Sequence, residues 1–159
     1  MYLSAIGQDS HRFVEEGNTK PLIMGGIEIQ GALGLAGNSD ADVVLHAVTN
    51  AISGISGVNI LGKVSDDLCL KQGITDSKVY LQKAIETLNG YKILHVSVTI
   101  EARKPHLTAH IPSMRDSIGV LLGIESKHVG ITATTGEGLT DFGKGLGIQA
   151  FVILSVCKE

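Results

Sequence analysis

The stretch Ile148-Gln149-Ala150-Phe151-Val152-Ile153-Leu154-Ser155-Val156 is apolar at all but two positions, so any fold of this chain must shelter it. It falls far short of the roughly 20 residues that a membrane helix needs, and its branched and aromatic content suits a strand. A strand of that kind lies within a sheet, with helices or a neighbouring subunit against its faces. Two further segments alternate with period two: Val96, Val98 and Ile100 between Ser97, Thr99 and Glu101, and then Val129, Ile131 and Ala133. Another short strand is expected at the N-terminus, up to His11.

Helical spacing appears elsewhere. Leu45, Val48, Ile52 and Ile55 predict a helix over 40–56, and Ser39 followed three residues later by Asp42 has capping-box form. A second helix is predicted over 77–88, and a third from Pro112, which suits a first helical position, to Gly123. Gly25-Gly26 between two apolar runs, Pro21 to Met24 and Ile27 to Ile29, signals a tight hairpin. The order strand, hairpin, two helices, strand, helix, two strands fits an α/β fold of the α+β two-layer kind. It would have a mixed, mainly four-stranded sheet with helices on one face, in a single domain over 1–159.

Composition narrows the function. With 13 Lys and Arg against 16 Asp and Glu, the net charge of -3 provides no basic field for a nucleic acid. Cys69 and Cys157 lack Cys-x-x-Cys spacing, so no disulfide framework or cysteine metal site is expected. A cytoplasmic location without an export signal or a membrane span is the matching expectation. Only 6 aromatic residues accompany 20 glycines, which points to a core of Val, Ile, Leu and Ala and to some apolar surface buried against copies of the chain.

Three clusters could carry chemistry. Asp9 and His11 are two residues apart, so on a strand they share a face. His46 lies about 140° from the apolar stripe of its helix, on the side of Asp42 and Asn50. One carboxylate and two imidazoles with an open fourth position are a catalytic zinc ligand set, and Asp42, one turn before His46, would hold its second ring nitrogen. The alternative is a turn-capping Asp9 with surface histidines. Asn38-Ser39-Asp40 at a helix start suits a phosphate group, or is an ordinary N-cap. Thr134-Thr135-Gly136-Glu137-Gly138, followed by Asp141-Phe142-Gly143-Lys144-Gly145, could wrap an anion while Glu137 holds a hard cation, or is a glycine-rich connection.

With those residues in view, the sequence resembles the 2-C-methyl-D-erythritol 2,4-cyclodiphosphate synthase family nearly end to end. The match rests on Gly7-Gln8-Asp9-Ser10-His11, Ile23-Met24-Gly25-Gly26, Ser39-Asp40-Ala41-Asp42-Val43-Val44-Leu45-His46-Ala47, His110-Ile111-Pro112-Ser113-Met114-Arg115 and Thr132-Ala133-Thr134-Thr135. The resemblance implies a cyclic homotrimer with sites between neighbours, Zn2+ on Asp9, His11 and His46, and Mg2+ or Mn2+ on Glu137. It implies a cytidine diphosphate substrate whose cytidine is lined by Ala102, Arg103, Lys104, Pro105, His106, Leu107 and Thr108. Phosphates would be held by Asn38, Ser39, Thr134, Thr135 and Lys144. Further substrate contacts fall on Asp9, His11, Gly136, Glu137, Asp141 and Phe142, with Asn38 and Thr135 as catalytic residues. The implied reaction is metal-dependent ring closure with release of CMP; the alternative is a trimeric metal- and nucleotide-binding protein with weak or lost cyclase activity. Asn38 replaces a histidine common in the family, Lys144 an arginine, and the segment 58–67 departs from the usual pattern.

Overall fold

The structure, a computed structural model of the chain, describes all of residues 1–159. Six strands form: β1 (Tyr2–Arg12), β2 (Leu22–Met24), β3 (Ile27–Ile29), β4 (Lys92–Glu101), β5 (Val129–Thr134) and β6 (Gly147–Cys157). Four helices join them: α1 (Val43–Ser56), α2 (Lys63–Asp66), α3 (Ser77–Glu86) and α4 (Ile111–Leu122). A four-stranded sheet runs in the order β1-β6-β4-β5, and β2 and β3 make a separate hairpin. β6 is antiparallel to both neighbours, whereas β4 and β5 are parallel and are connected through α4.

The interior place of β6 explains its apolar sequence, but the expected cover on both faces is half met. Ile148, Ala150, Val152, Leu154 and Val156 are buried beneath the helices. Phe151 and Ile153 point to the other face and are 40% and 53% exposed, beside Ile6 at 66% on β1. The helices thus lie on one side, as predicted, and leave an apolar sheet face open in the single chain.

α1 sits directly on β1. A Cβ added at Gly7 would fall 2.0 Å from the Ala47 carbonyl oxygen and 2.5 Å from the Ala51 nitrogen, so only glycine permits this approach. The helix is buried on more than the predicted stripe, because Val43, Val44, Ala47 and Ala51 are also fully buried between the sheet and neighbouring elements. Its predicted capping box does not form. Asp42 itself is the N-cap, its carboxylate accepting from the amides of Val44 and Leu45, so the helix starts at Val43 rather than residue 40. Ser39 instead accepts from the Ala41 amide in a local turn.

The Gly25-Gly26 hairpin forms with φ of 60° and 80° at the two glycines, and their amides donate to the two oxygens of Asp42. One carboxylate therefore joins the hairpin to the start of α1. Burial pushes the Asp42 pKa up, against the opposing pull of the amides that bond it. α3 starts where predicted and ends two residues early. α4 carries Pro112 in its first turn and stops at Gly123, whose φ of 68° supplies the left-handed C-cap. Unpredicted are α2 and the π-helical turn Asp67–Lys71 that continues it.

Candidate metal centre

The alternation of β1 brings Asp9 and His11 to one face, and the close seat of α1 over Gly7 brings His46 down to them. His11 Nε2 lies 2.8 Å from Asp9 Oδ2, His46 Nδ1 lies 3.0 Å from the same oxygen, and the two ring nitrogens are 3.3 Å apart. The three ligand atoms therefore converge on one point, as one metal ion requires. His11 Nδ1 is 2.9 Å from the carbonyl oxygen of Ala36, which only accepts, so its proton sits on Nδ1 and the Nε2 lone pair faces the cluster. An oxygen anion and ring lone pairs this close repel one another unless a cation sits among them. The donor set fits a divalent metal, and without one a proton takes that role.

The electrostatics agree. Burial pushes the Asp9 carboxyl up, yet the hydrogen bonds and charges of His11 and His46 outweigh it and hold the pKa at about 2. Burial pushes His11 down, but the hydrogen bond and charge of Asp9, with the Ala36 carbonyl, leave its pKa raised.

His46 is buried, not a surface residue, and its outer partner is not Asp42. All of Asp42's bonding goes to backbone amides, while His46 Nε2 meets the Ser77 hydroxyl at 2.8 Å. The triad opens into a cavity of about 210 Å³ lined also by Asn38, Ser39, Leu61, Asp66, Cys69 and Tyr80. Sequence reasoning placed Asn38 and Ser39 near the metal, but missed Cys69, Tyr80 and Ser77. The cap at Asp76 marks Ser77 as the start of α3 but says nothing of its meeting His46. Lys20 donates to the carbonyl oxygens of Gly37 and Ser39, which ties down the loop that forms one rim.

The other expected residues gather elsewhere. Arg103, Lys104, Pro105, His106 and Lys144 line a cleft of about 530 Å³, facing Phe13, Glu16 and residues 29–33. Ala102 and Leu107, which flank residues 103–106, are buried, and Thr108 opens a short 3-10 turn. Thr135 and Glu137 line a smaller cavity with Arg103 and Gly143. Thr134 and Gly136 flank Thr135, Asp141 lies 3.6 Å from the Lys144 amine, and the Phe142 carbonyl accepts from the Arg103 amide. Within one chain this group does not meet the triad. Asp9 aligns across the sheet with Ala150, Ile100 and Ala133, three strand spacings, or roughly 14 Å, from one edge to the other.

The fold and this cluster define a two-layer α/β domain with a carboxylate and two histidines arranged for a metal at the end of its sheet. The model of the YgbB family matches residues 2–157, and the chain belongs to that family. It is 46% identical over 159 residues to the 2-C-methyl-D-erythritol 2,4-cyclodiphosphate synthase of Chlamydia caviae, covering 99% of this chain and 90% of that protein. The synthase of Chlamydia felis is 46% identical with the same coverage. A solved 2C-methyl-D-erythritol-2,4-cyclodiphosphate synthase in a CDP-bound form superposes with a TM-score of 0.86 at 29% identity, over 98% of this chain and 100% of that one. The bifunctional IspDF of Campylobacter jejuni gives 0.88 at 26% identity over 98% of this chain, which spans 42% of that longer protein. No helix here is long and apolar enough to cross a membrane.

Proposed function

We propose that residues 1–159 form one domain that converts 4-diphosphocytidyl-2-C-methyl-D-erythritol 2-phosphate to 2-C-methyl-D-erythritol 2,4-cyclodiphosphate and CMP. The observation that carries this is the convergence of Asp9, His11 and His46 in a chain 46% identical to synthases of that name. The 2-phosphate oxygen bonds to the β-phosphorus, the bond from that phosphorus to the bridging oxygen breaks, and CMP departs with the bridging oxygen. The attacking group is already an anion, so the reaction needs no protein nucleophile. Zn2+ held by Asp9, His11 and His46, with Mg2+ or Mn2+ held at Glu137, would supply Lewis acidity to the diphosphate.

The rest falls to the chain's own side chains. Arg103 to His106 and Lys144 line the cleft that suits the cytidine and its first phosphate. Asn38 and Ser39 at the triad cavity, and Thr134 and Thr135 at the other, donate to phosphate oxygens. Asn38 and Thr135 bracket the reacting phosphorus. Asn38 gives a hydrogen bond without charge, and Lys144 gives a point charge without a bidentate fork. Holding both ends of the substrate for ring closure contributes about 7–11 kcal/mol in favourable geometry.

Assembly as a cyclic trimer follows from the same reading. Asp9 and His11 lie on β1, with His46 of α1 seated over them, and the Glu137 loop follows β5; these are the two edge strands, farther apart than a diphosphate reaches. A site where the β5 edge of one copy meets the β1 edge of the next unites them. The exposed Tyr2, Ile6, Phe151 and Ile153 supply an apolar face for that contact. The free Cys69 beside the triad suits a reducing cytoplasm.

His46→Ala should abolish both zinc binding and CMP release while the oligomer persists in sedimentation. Full activity in that variant would remove the triad from the mechanism. Mass analysis separates the remaining outcomes: a cyclic product weighs one water less than a hydrolysed one, and CDP binding without CMP formation would favour the binding-protein alternative.

A further inference from the structure

Behind His46 a chain of hydrogen bonds leads away from the metal ligands. Asp40 is fixed by its own backbone, its amide donating 2.8 Å to the Thr75 carbonyl. One of its carboxylate oxygens accepts the Ser77 amide at 3.1 Å, and the other accepts the Ser77 hydroxyl. Ser77 is fully buried, so water does not reach it as a substitute partner. Its oxygen then meets His46 Nε2 at 2.8 Å.

Proton accounting along this chain has one solution. A carboxylate only accepts, so the hydroxyl proton of Ser77 points to Asp40. What remains on the serine oxygen is a lone pair, and His46 must offer it Nε2–H. The proton of a neutral imidazole being spent there, Nδ1 keeps its lone pair, and Nδ1 is the atom that faces Asp9 Oδ2 and His11 Nε2. We propose that Asp40 and Ser77 are positioning residues of the metal centre, which together hold His46 in the tautomer that leaves Nδ1 free to bind a metal ion. The inference rests on reading Asp9, His11 and His46 as a zinc site.

The two histidines reach the same end by different routes. For His11 a carbonyl does it in one step, because the oxygen of Ala36 has no proton to give. A serine alone is ambiguous, since its hydroxyl donates as readily as it accepts. Were it to donate, the His46 proton would sit on Nδ1 and bond Asp9, closing the site into a carboxylate–imidazole pair with no room for a metal. Asp40 removes that choice. Outer partners of this kind are worth 10–100-fold in metal affinity.

The test uses the full chain with Zn2+ in competition with a chromophoric chelator. Ser77→Ala and Asp40→Asn are expected to bind zinc 10–100-fold more weakly than the unaltered protein. Nitrogen-15 spectra should show His46 protonated at Nε2 in the unaltered protein already before zinc is added, and in metal-free Ser77→Ala the proton should move to Nδ1. A loss of packing alone would not move it. Zinc affinity within twofold of the unaltered protein in either variant overturns the proposal, as does an Nδ1–H His46 in the unaltered protein without metal. The spectrum of the unaltered protein decides the matter should both variants fail to fold. Absence of zinc binding by the unaltered chain would instead sink the triad itself, and this inference with it.

Discussion

Replacing Gly7 with alanine places a methyl carbon 2.0 Å from the Ala47 carbonyl oxygen and 2.5 Å from the Ala51 nitrogen. Ordinary contact begins at 3.4 Å, so α1 and β1 must separate by more than 1 Å, and because both obstructing atoms are backbone, no rotamer change relieves the clash. Overpacking typically costs about 1–3 kcal/mol, and a backbone obstacle belongs at the upper end. At about 2–4 °C per kcal/mol for a chain of this length, 3 kcal/mol corresponds to roughly 6–12 °C in Tm. Ala47 follows His46, so the same displacement lifts an imidazole whose neighbours stand 3.0 and 3.3 Å away. A misplacement of about 1 Å is enough to reduce turnover about 100-fold. Urea denaturation, zinc titration and CMP release would be measured beside Gly54→Ala, which lies at the same helix–strand contact. There the new carbon is tight only against the Ala5 methyl, at 3.1 Å, with the Ile6 carbonyl oxygen at an ordinary 3.8 Å, and a gain in helix propensity of up to about 1 kcal/mol offsets it. That control should stay within about 1 kcal/mol of the unaltered protein. Gly7→Ala with unchanged stability and zinc affinity would refute the account of how α1 places His46.

The metal-free protein should also lose stability toward both ends of the pH range. Asp9, with its pKa lowered to about 2, contributes stability that is present above its ordinary 3.8 and is lost as pH falls through about 2. His11, with its pKa raised, contributes stability that is full below 6.5 and is lost as pH rises through its folded-state value. Urea midpoints across pH 2 to 8.5 would reveal both limbs, and saturation with zinc should remove the alkaline one; a metal-free protein whose midpoint is flat across that range contradicts this. Glu137→Gln should abolish the stimulation of CMP release by Mg2+ or Mn2+ and leave zinc affinity within twofold, whereas equal loss of both would place Glu137 at the triad.

Most of the sheet and the principal helices were legible because their signals are local. Period-two alternation marked β4 and β5, Pro112 and Gly123 bracketed α4, and paired glycines marked the hairpin. The segment 63–71 was not, because its nine residues show no sustained helical stripe, and its form depends on packing over the triad cavity. The metal ligands were readable because β1 puts Asp9 and His11 on one face by period alone. The outer partner of His46 was not, since spacing of four residues suggested Asp42, whereas a cap competes for that carboxylate and wins with two amides from α1 and two from the hairpin. Ser77 arrives through the docking of α3 on α1, a tertiary fact that no local pattern encodes.

Because Asp42 receives the amides of Gly25, Gly26, Val44 and Leu45, the chain between the hairpin and α1 is a loop with its two ends clamped at one buried carboxylate. Doubling the length of a flexible loop adds only about 0.6 kcal/mol of closure entropy. Insertions or deletions around residues 30–33, which form a wall of the larger cleft, should therefore be tolerated and would reshape that wall without shifting the register of α1. Natural variation in ligand preference can accumulate on one side of this clamp while the histidine on the other keeps its address.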